Sequence, residues 1–148
     1  MQSLLAYWKP RTADYEIARQ SLLDHSASKQ FQRIDVDDHV WVVTVRNGKL
    51  FLLGRIIVGQ VTDQAGAVQL MGTHDLWKAS HHIVAALGTA EQIRNVSISS
   101  LAGSLRFDSD RDRLSVSDGL VNAQQLQTMR VLTADSAAKL EAAMRRAV

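Results

Sequence analysis

Cysteine is absent from this chain of 148 residues. That excludes a disulfide scaffold, a Cys-based zinc site and a thiol nucleophile together. Proline occurs once, at Pro10, so it punctuates a turn and builds no linker. Glycine is sparse, with 8 residues, and none falls in a G-x-S-x-G, P-loop or G-x-G-x-x-G pattern. Aromatic residues make up only 5% of the chain, so three tryptophans are placed selectively. No apolar run approaches the ~20 residues of a membrane span, and no charged-then-apolar leader opens the chain. The expectation is a cytoplasmic domain that does not enter membranes. One domain over residues 1–148 is expected from length, since such a chain buries roughly 68–70% of its unfolded surface without a metal or crosslink.

Charge is also scarce in one sense. The formal net charge is +2, although the isoelectric point is near 9.2. Few groups titrate between pH 7 and 9, so a small cationic surplus persists and lifts the isoelectric point. The position of the cations matters more than their sum, and 12 of the 17 are arginine, the residue suited to planar phosphate contacts.

The pattern along the chain predicts an α+β fold. Ser3 to Trp8 has strand length and stops at Lys9-Pro10-Arg11. Thr12 is expected to cap a helix over Ala13 to His25, with Tyr15, Ala18, Leu22 and Leu23 as its buried stripe. Ser26 to Gln30 reads as loop. The strongest signal is His39 to Arg46, then Asn47-Gly48, then Lys49 to Leu53, a hairpin closed by a type I′ turn. A two-residue loop pairs Val45 with Leu50, Thr44 with Phe51 and Val43 with Leu52; continued, it pairs Val42 with Leu53 and Trp41 with Gly54. Apolar residues on both faces suit a barrel wall covered by a helix, and Gly54 can accommodate a bend or bulge. Arg55 to Thr62 reads as a further strand, residues 63–66 as a turn, and Ala67 to Met71, Ser80 to Ala86, Val96 to Ile98 and Gly103 to Phe107 as short strands. Asn122 is expected to cap a short helix, and Thr133 a closing helix from Ala134 to about Ala147 with Ala137, Leu140 and Met144 buried.

Catalytic patterns are not found. The histidines are His25, His39, His74, His81 and His82, and no pair has the i, i+4 spacing of a helical metal site. His81 and His82 are adjacent and point to opposite faces of a strand, so no metal is expected. Asp35, Asp37 and Asp38 lack the continuation of a calcium loop and read as an acidic turn. Aromatic and cationic residues remain. Flat rings beside polar groups are what a pocket for a planar base requires, with stacking on the face and hydrogen bonds at the edge. Trp8 is followed by Lys9 and Arg11. Trp77 lies in an irregular polar segment with His74, Asp75 and Lys78. Trp41, among valines, is more simply a core residue than a pocket wall.

The order of these segments resembles the EVE-like branch of the PUA-like superfamily. The resemblance is carried by the strand ending in Tyr7-Trp8, by Asp35-Val36-Asp37-Asp38-His39 leading into Val40-Trp41-Val42-Val43, and by Ile57-Val58-Gly59-Gln60-Val61. Leu105-Arg106-Phe107 and the stretch from Gln124 to Thr133, before a final helix, extend it over nearly the whole chain. Asp37-Asp38 stands where the family has Gly-Asp. The resemblance implies a compact, strongly bent mixed β-barrel of about five to seven strands, flanked by an N-terminal and a C-terminal helix. It also implies a non-catalytic reader of a flipped modified base in nucleic acid, DNA in preference to RNA, acting beside a nuclease domain or partner and without a cofactor. Trp8, Trp41, Trp77, His74, Asp75 and Lys78 would then line the base pocket. Lys9, Arg11, Arg46, Lys49 and Arg55 would contact the backbone, with Arg46 and Lys49 facing each other beside the hairpin turn. Two other readings fit the same residues: a sensor of a small nucleotide-like molecule, and a protein-interaction module without a pocket.

Overall fold

A computed structural model describes residues 1–146. Among these residues the architecture is α+β, with three α-helices and a seven-stranded mixed sheet. The strands of that sheet are β1 (Ser3–Tyr7), β2 (His25–Ala27), β3 (His39–Arg46), β4 (Lys49–Thr62), β5 (His82–Ala85), β6 (Val96–Ser97) and, later in the chain, β9 (Arg130–Leu132). Between them, β7 (Val116–Ser117) and β8 (Leu120–Val121) form a separate small hairpin. The order across the main sheet is β2-β5-β4-β3-β1-β9, with β6 also paired to β4. Among the described residues the sheet does not close into a barrel: β2 and β9 stand at opposite ends of this order.

The Asn47-Gly48 turn is as expected, with φ positive at both residues, and Val45, Thr44 and Val43 face Leu50, Phe51 and Leu52. The register then slips. Val42 faces Gly54 and Trp41 faces Arg55, so Leu53 is the extra residue of a β-bulge. Gly54 has φ +151°, a backbone region that side chains rarely adopt, and this is what makes the bulge possible there. Beyond it β4 continues to Thr62, exchanging β3 for β5 as partner, with a second shift of register between Val58 and Gln60.

The sheet separates two apolar cores. Leu5, Trp41, Val43, Leu50 and Leu52 pack on one face beneath Leu140 and Met144 of α3 (Ala134–Arg146). Leu4, Trp8, Val40, Val42, Ile56 and Val58 pack on the other with Ala13 of α1 (Pro10–Ala18) and Phe31 of a 3₁₀ turn. α3 begins after Thr133, whose Oγ1 accepts from Ser136 N at 3.2 Å. Ala147 lies outside the described residues.

Further expectations differ from the structure. Residues 26–30 are not loop: Ser26 and Ala27 belong to β2, and Lys29 and Gln30 open a 3₁₀ turn, because pairing with β5 supplies the order that the local sequence does not. α1 starts at Pro10 rather than Ala13, because proline's fixed φ suits the first helical position, and it stops where Gln20 turns to φ 56°. Its inward positions are Ala13 and Ile17, four apart, which leaves Tyr15 58% exposed and Leu22 outside the helix. Residues 64–71 form a helix, α2 (Gln64–Met71), rather than a turn and a strand. Asp63 caps it by accepting from Gly66 N at 2.8 Å, so Gly66 belongs to the first helical turn. Residues 103–107 make a 3₁₀ turn and a single bridge from Phe107 to Leu132 in place of a strand.

Candidate functional site: a groove along an open sheet edge

Among the described residues β2 pairs only with β5, so one of its edges is open. Ser28 N donates to His81 O, Ala85 N donates to Asp24 O, and Ser26 faces Ile83. The even-numbered residues therefore bond to β5, and the backbone groups of His25 and Ala27 point to the open side. Neither residue's backbone makes a hydrogen bond there among the described residues.

Trp8, just past the end of β1, stands against this edge. The residue is 7% exposed, and its Nε1 donates to Ser26 Oγ at 3.2 Å. Trp8 divides the groove into two cavities. The smaller, about 120 Å³, is lined by Trp8, Ser26, Ala27, Ser28, Phe31 and Met129. Gln30 braces its wall: Nε2 donates to Gln127 O at 2.7 Å and Oε1 accepts from Met129 N at 2.6 Å. The larger, about 400 Å³, is lined by Trp8, Trp77, His25, Asp24, Glu16 and Asp75 among others. Trp8 and Trp77 meet edge to face, with centroids 5.1 Å apart and planes at 85°.

Histidines sit behind the larger cavity. His25 Nε2 lies 2.7 Å from His82 Nδ1, and His82 Nε2 lies 2.6 Å from Gln64 Oε1. His82 is fully buried. Burial, and then the neighbouring His82, lowers the His25 pKa to about 4, and burial lowers that of His82. Burial raises the Asp24 carboxyl; a backbone hydrogen bond opposes the rise and Glu16 adds to it. Among the described residues no group of three or more His, Asp or Glu is placed to hold a metal ion, and no helix is long and apolar enough to cross a membrane.

The sequence-predicted residues divide. Trp8, Trp77 and Asp75 come together in the larger cavity, with His74 and Lys78 exposed in the same segment. Trp41 does not join them: it is 1% exposed, in the core on the opposite face of the sheet. Arg55 lies over the Trp41 ring and pairs with Glu141 at 2.6 Å. Arg46 lies over Phe51 and pairs with Asp14 at 2.8 Å, so a carboxylate of the chain itself relieves its repulsion with Lys49. Lys49, Lys9 and Arg11 are exposed and form no ion pair among the described residues.

No family model, curated protein or solved structure matches this chain. The site therefore stands on its own geometry. Sequence reasoning missed the residues that define the groove: Asp24, His25, Ser26, Ala27, Ser28 and Gln30. A strand of three residues has too little alternation to register, and the His25–His82 pair spans 57 positions. The one available signal was Ser28-x-Gln30, where Ser28 Oγ accepts from Gln30 N at 3.0 Å and caps the 3₁₀ turn.

Proposed function

We propose that this chain is a non-catalytic nucleic-acid-binding module of the EVE-like, PUA-like type, which holds one unstacked, modified DNA base in the smaller cavity. The observation that carries the reading is the open backbone edge of Ala27 beside the anchored Trp8 ring, within a space of about 120 Å³. Pockets for drug-sized ligands are larger, about 300–1,000 Å³. A flat heteroaromatic ring can lie against the indole while an unpaired N–H and C=O meet its edge, which combines stacking with edge reading. The two wall segments carry exposed cations, Lys9 and Arg11 after Trp8, and Lys29 and Arg33 around Phe31. None of the four forms an ion pair among the described residues, so all remain open to phosphate oxygens. Arg46 and Arg55 are already neutralised by Asp14 and Glu141 and are not part of this proposal.

The test is titration of fluorescent duplexes, with and without modified cytosine, over a series of salt concentrations. Expected is a log affinity that falls with log salt by about 0.9 per phosphate neutralised. A Lys29→Glu, Arg33→Glu variant weakens every sequence alike and lowers that slope, whereas Trp8→Phe reduces the preference for the modified base. Failure of both duplexes to bind at low salt overturns the proposal. Binding of a free nucleoside without DNA binding moves the assignment to a small-molecule sensor.

A further inference from the structure

The larger cavity differs in chemistry from the smaller one. One corner is aromatic, formed by the perpendicular rings of Trp8 and Trp77. The other side carries His25, and the hydrogen bonds behind it determine which imidazole nitrogen is bare. Ala79 N–H donates to Gln64 Oε1 at 3.0 Å, which identifies that atom as the amide oxygen. His82 Nε2, 2.6 Å from the same oxygen, must then carry hydrogen. Neutral His82 accepts at Nδ1, so His25 Nε2 is the donor across their 2.7 Å contact. The two ring planes lie within 27° and their centroids 5.0 Å apart, as an in-plane N–H···N bond requires. His25 Nδ1 is left as a lone pair, on a ring that lines the cavity, with no partner among the described residues.

The remaining polar side chains of the wall are mostly acceptors. Glu16, Asp24 and Asp75 line it, against one cation, Arg19. Arg19 is already engaged, 3.9 Å from Glu16 and 3.3 Å from the Tyr15 hydroxyl. Asp24 forms no ion pair among the described residues, and burial, with Glu16 nearby, raises its pKa. An anion is repelled by such walls, and a neutral apolar ring leaves the lone pair and carboxylates without partners.

We propose that the larger cavity binds a flat organic cation rich in N–H donors, a guanidinium or amidinium group, held by the Trp8–Trp77 corner and by His25 Nδ1 with the surrounding carboxylates. Indole faces attract such cations, and a carboxylate can accept two parallel N–H bonds from one of them. The site is distinct from the smaller cavity, so it stands whether or not the chain binds nucleic acid.

The experiment titrates the full chain at neutral pH with benzamidine, its neutral analogue benzamide, agmatine and a short glycine-flanked arginine peptide. Tryptophan fluorescence and the Trp77 indole N–H resonance report binding. Benzamidine is expected to bind and benzamide not. Asp24→Asn and Trp77→Ala should each weaken benzamidine by about tenfold. Trp77 is 37% exposed, so its replacement spares the core, and the unfolding midpoint of each variant verifies its fold. Agmatine binding without peptide binding assigns a free small molecule; peptide binding of equal strength assigns an arginine side chain. Equal binding of benzamide and benzamidine, no binding at millimolar concentration, or an unaffected Asp24→Asn variant overturns the proposal.

Discussion

Replacing Ser26 by alanine removes one oxygen from a nearly buried position on the wall of the smaller cavity. Ser26 is 2% exposed and Trp8 7%, and the hydroxyl accepts from the indole N–H at 3.2 Å. An orphaned buried donor costs about 1–3 kcal/mol. A separation of 3.2 Å is at the long end for an N–H···O bond, which places the loss in the lower part of that range, about 1–2 kcal/mol. For a chain of this size each kcal/mol lowers the melting temperature by about 2–4 °C. The expected fall is therefore about 2–8 °C. Thermal unfolding followed by circular dichroism measures it, urea unfolding gives the free energy, and Trp8→Phe completes a double-mutant cycle. With no indole N–H to orphan, Ser26→Ala should cost less in the Trp8→Phe background, by about 0.5–1.5 kcal/mol. Equal cost in both backgrounds refutes the claim that the hydroxyl anchors the ring. Base preference in the smaller cavity should fall with the same substitution, because the stacking wall loses its fixed orientation.

Acid and backbone strain supply two further predictions. His25 is lowered from an ordinary 6.5 to about 4, so between those values the unfolded chain takes up a proton that the folded chain refuses. Its stabilising contribution is complete above pH 6.5 and is lost as the pH falls toward 4; an imidazole resonance of His25 titrating near 6.5 in the folded protein refutes this. Gly54→Ala places a side chain at φ +151° with its Cβ 2.9 Å from Leu23 Cδ2, and should cost about 1–3 kcal/mol in urea unfolding. Gly103→Ala, whose nearest neighbour would be 4.0 Å away, is the control and should stay within about 0.5 kcal/mol.

How much could be read beforehand depended on whether a signal was local. The β3–β4 hairpin was legible because Asn47-Gly48 imposes its own turn and the turn imposes the register. α3 was legible because Thr133 caps it and Leu140 and Met144 repeat at helical spacing. α2 was not, since Gly66 has the composition of a turn and only the bond from Gly66 N to Asp63 shows that it lies inside a helix. Trp41 lies in the core that its valine neighbours suggest and not in the pocket that the resemblance implies, and Arg46 and Arg55 read as free because Asp14 and Glu141 are 32 and 86 positions away. The groove was the least legible part. An open strand edge is a fact about which strands fail to pair, and no single segment records it.

The bulge at Leu53 acts as a change of phase. Leu50, Leu52, Ile56 and Val58 are all even-numbered, and uninterrupted alternation would send all four side chains to one side of the sheet. In the molecule the first two belong to the core under α3 and the last two to the core behind the groove. One inserted residue thus divides a single strand between two interiors. It also turns Arg55 toward Glu141 and away from the apolar side where Val58 and Ile83 support β2. The groove therefore depends on a residue that never touches it: remove the half-step at Leu53, and the strand that backs the site presents its cation where its valine should be.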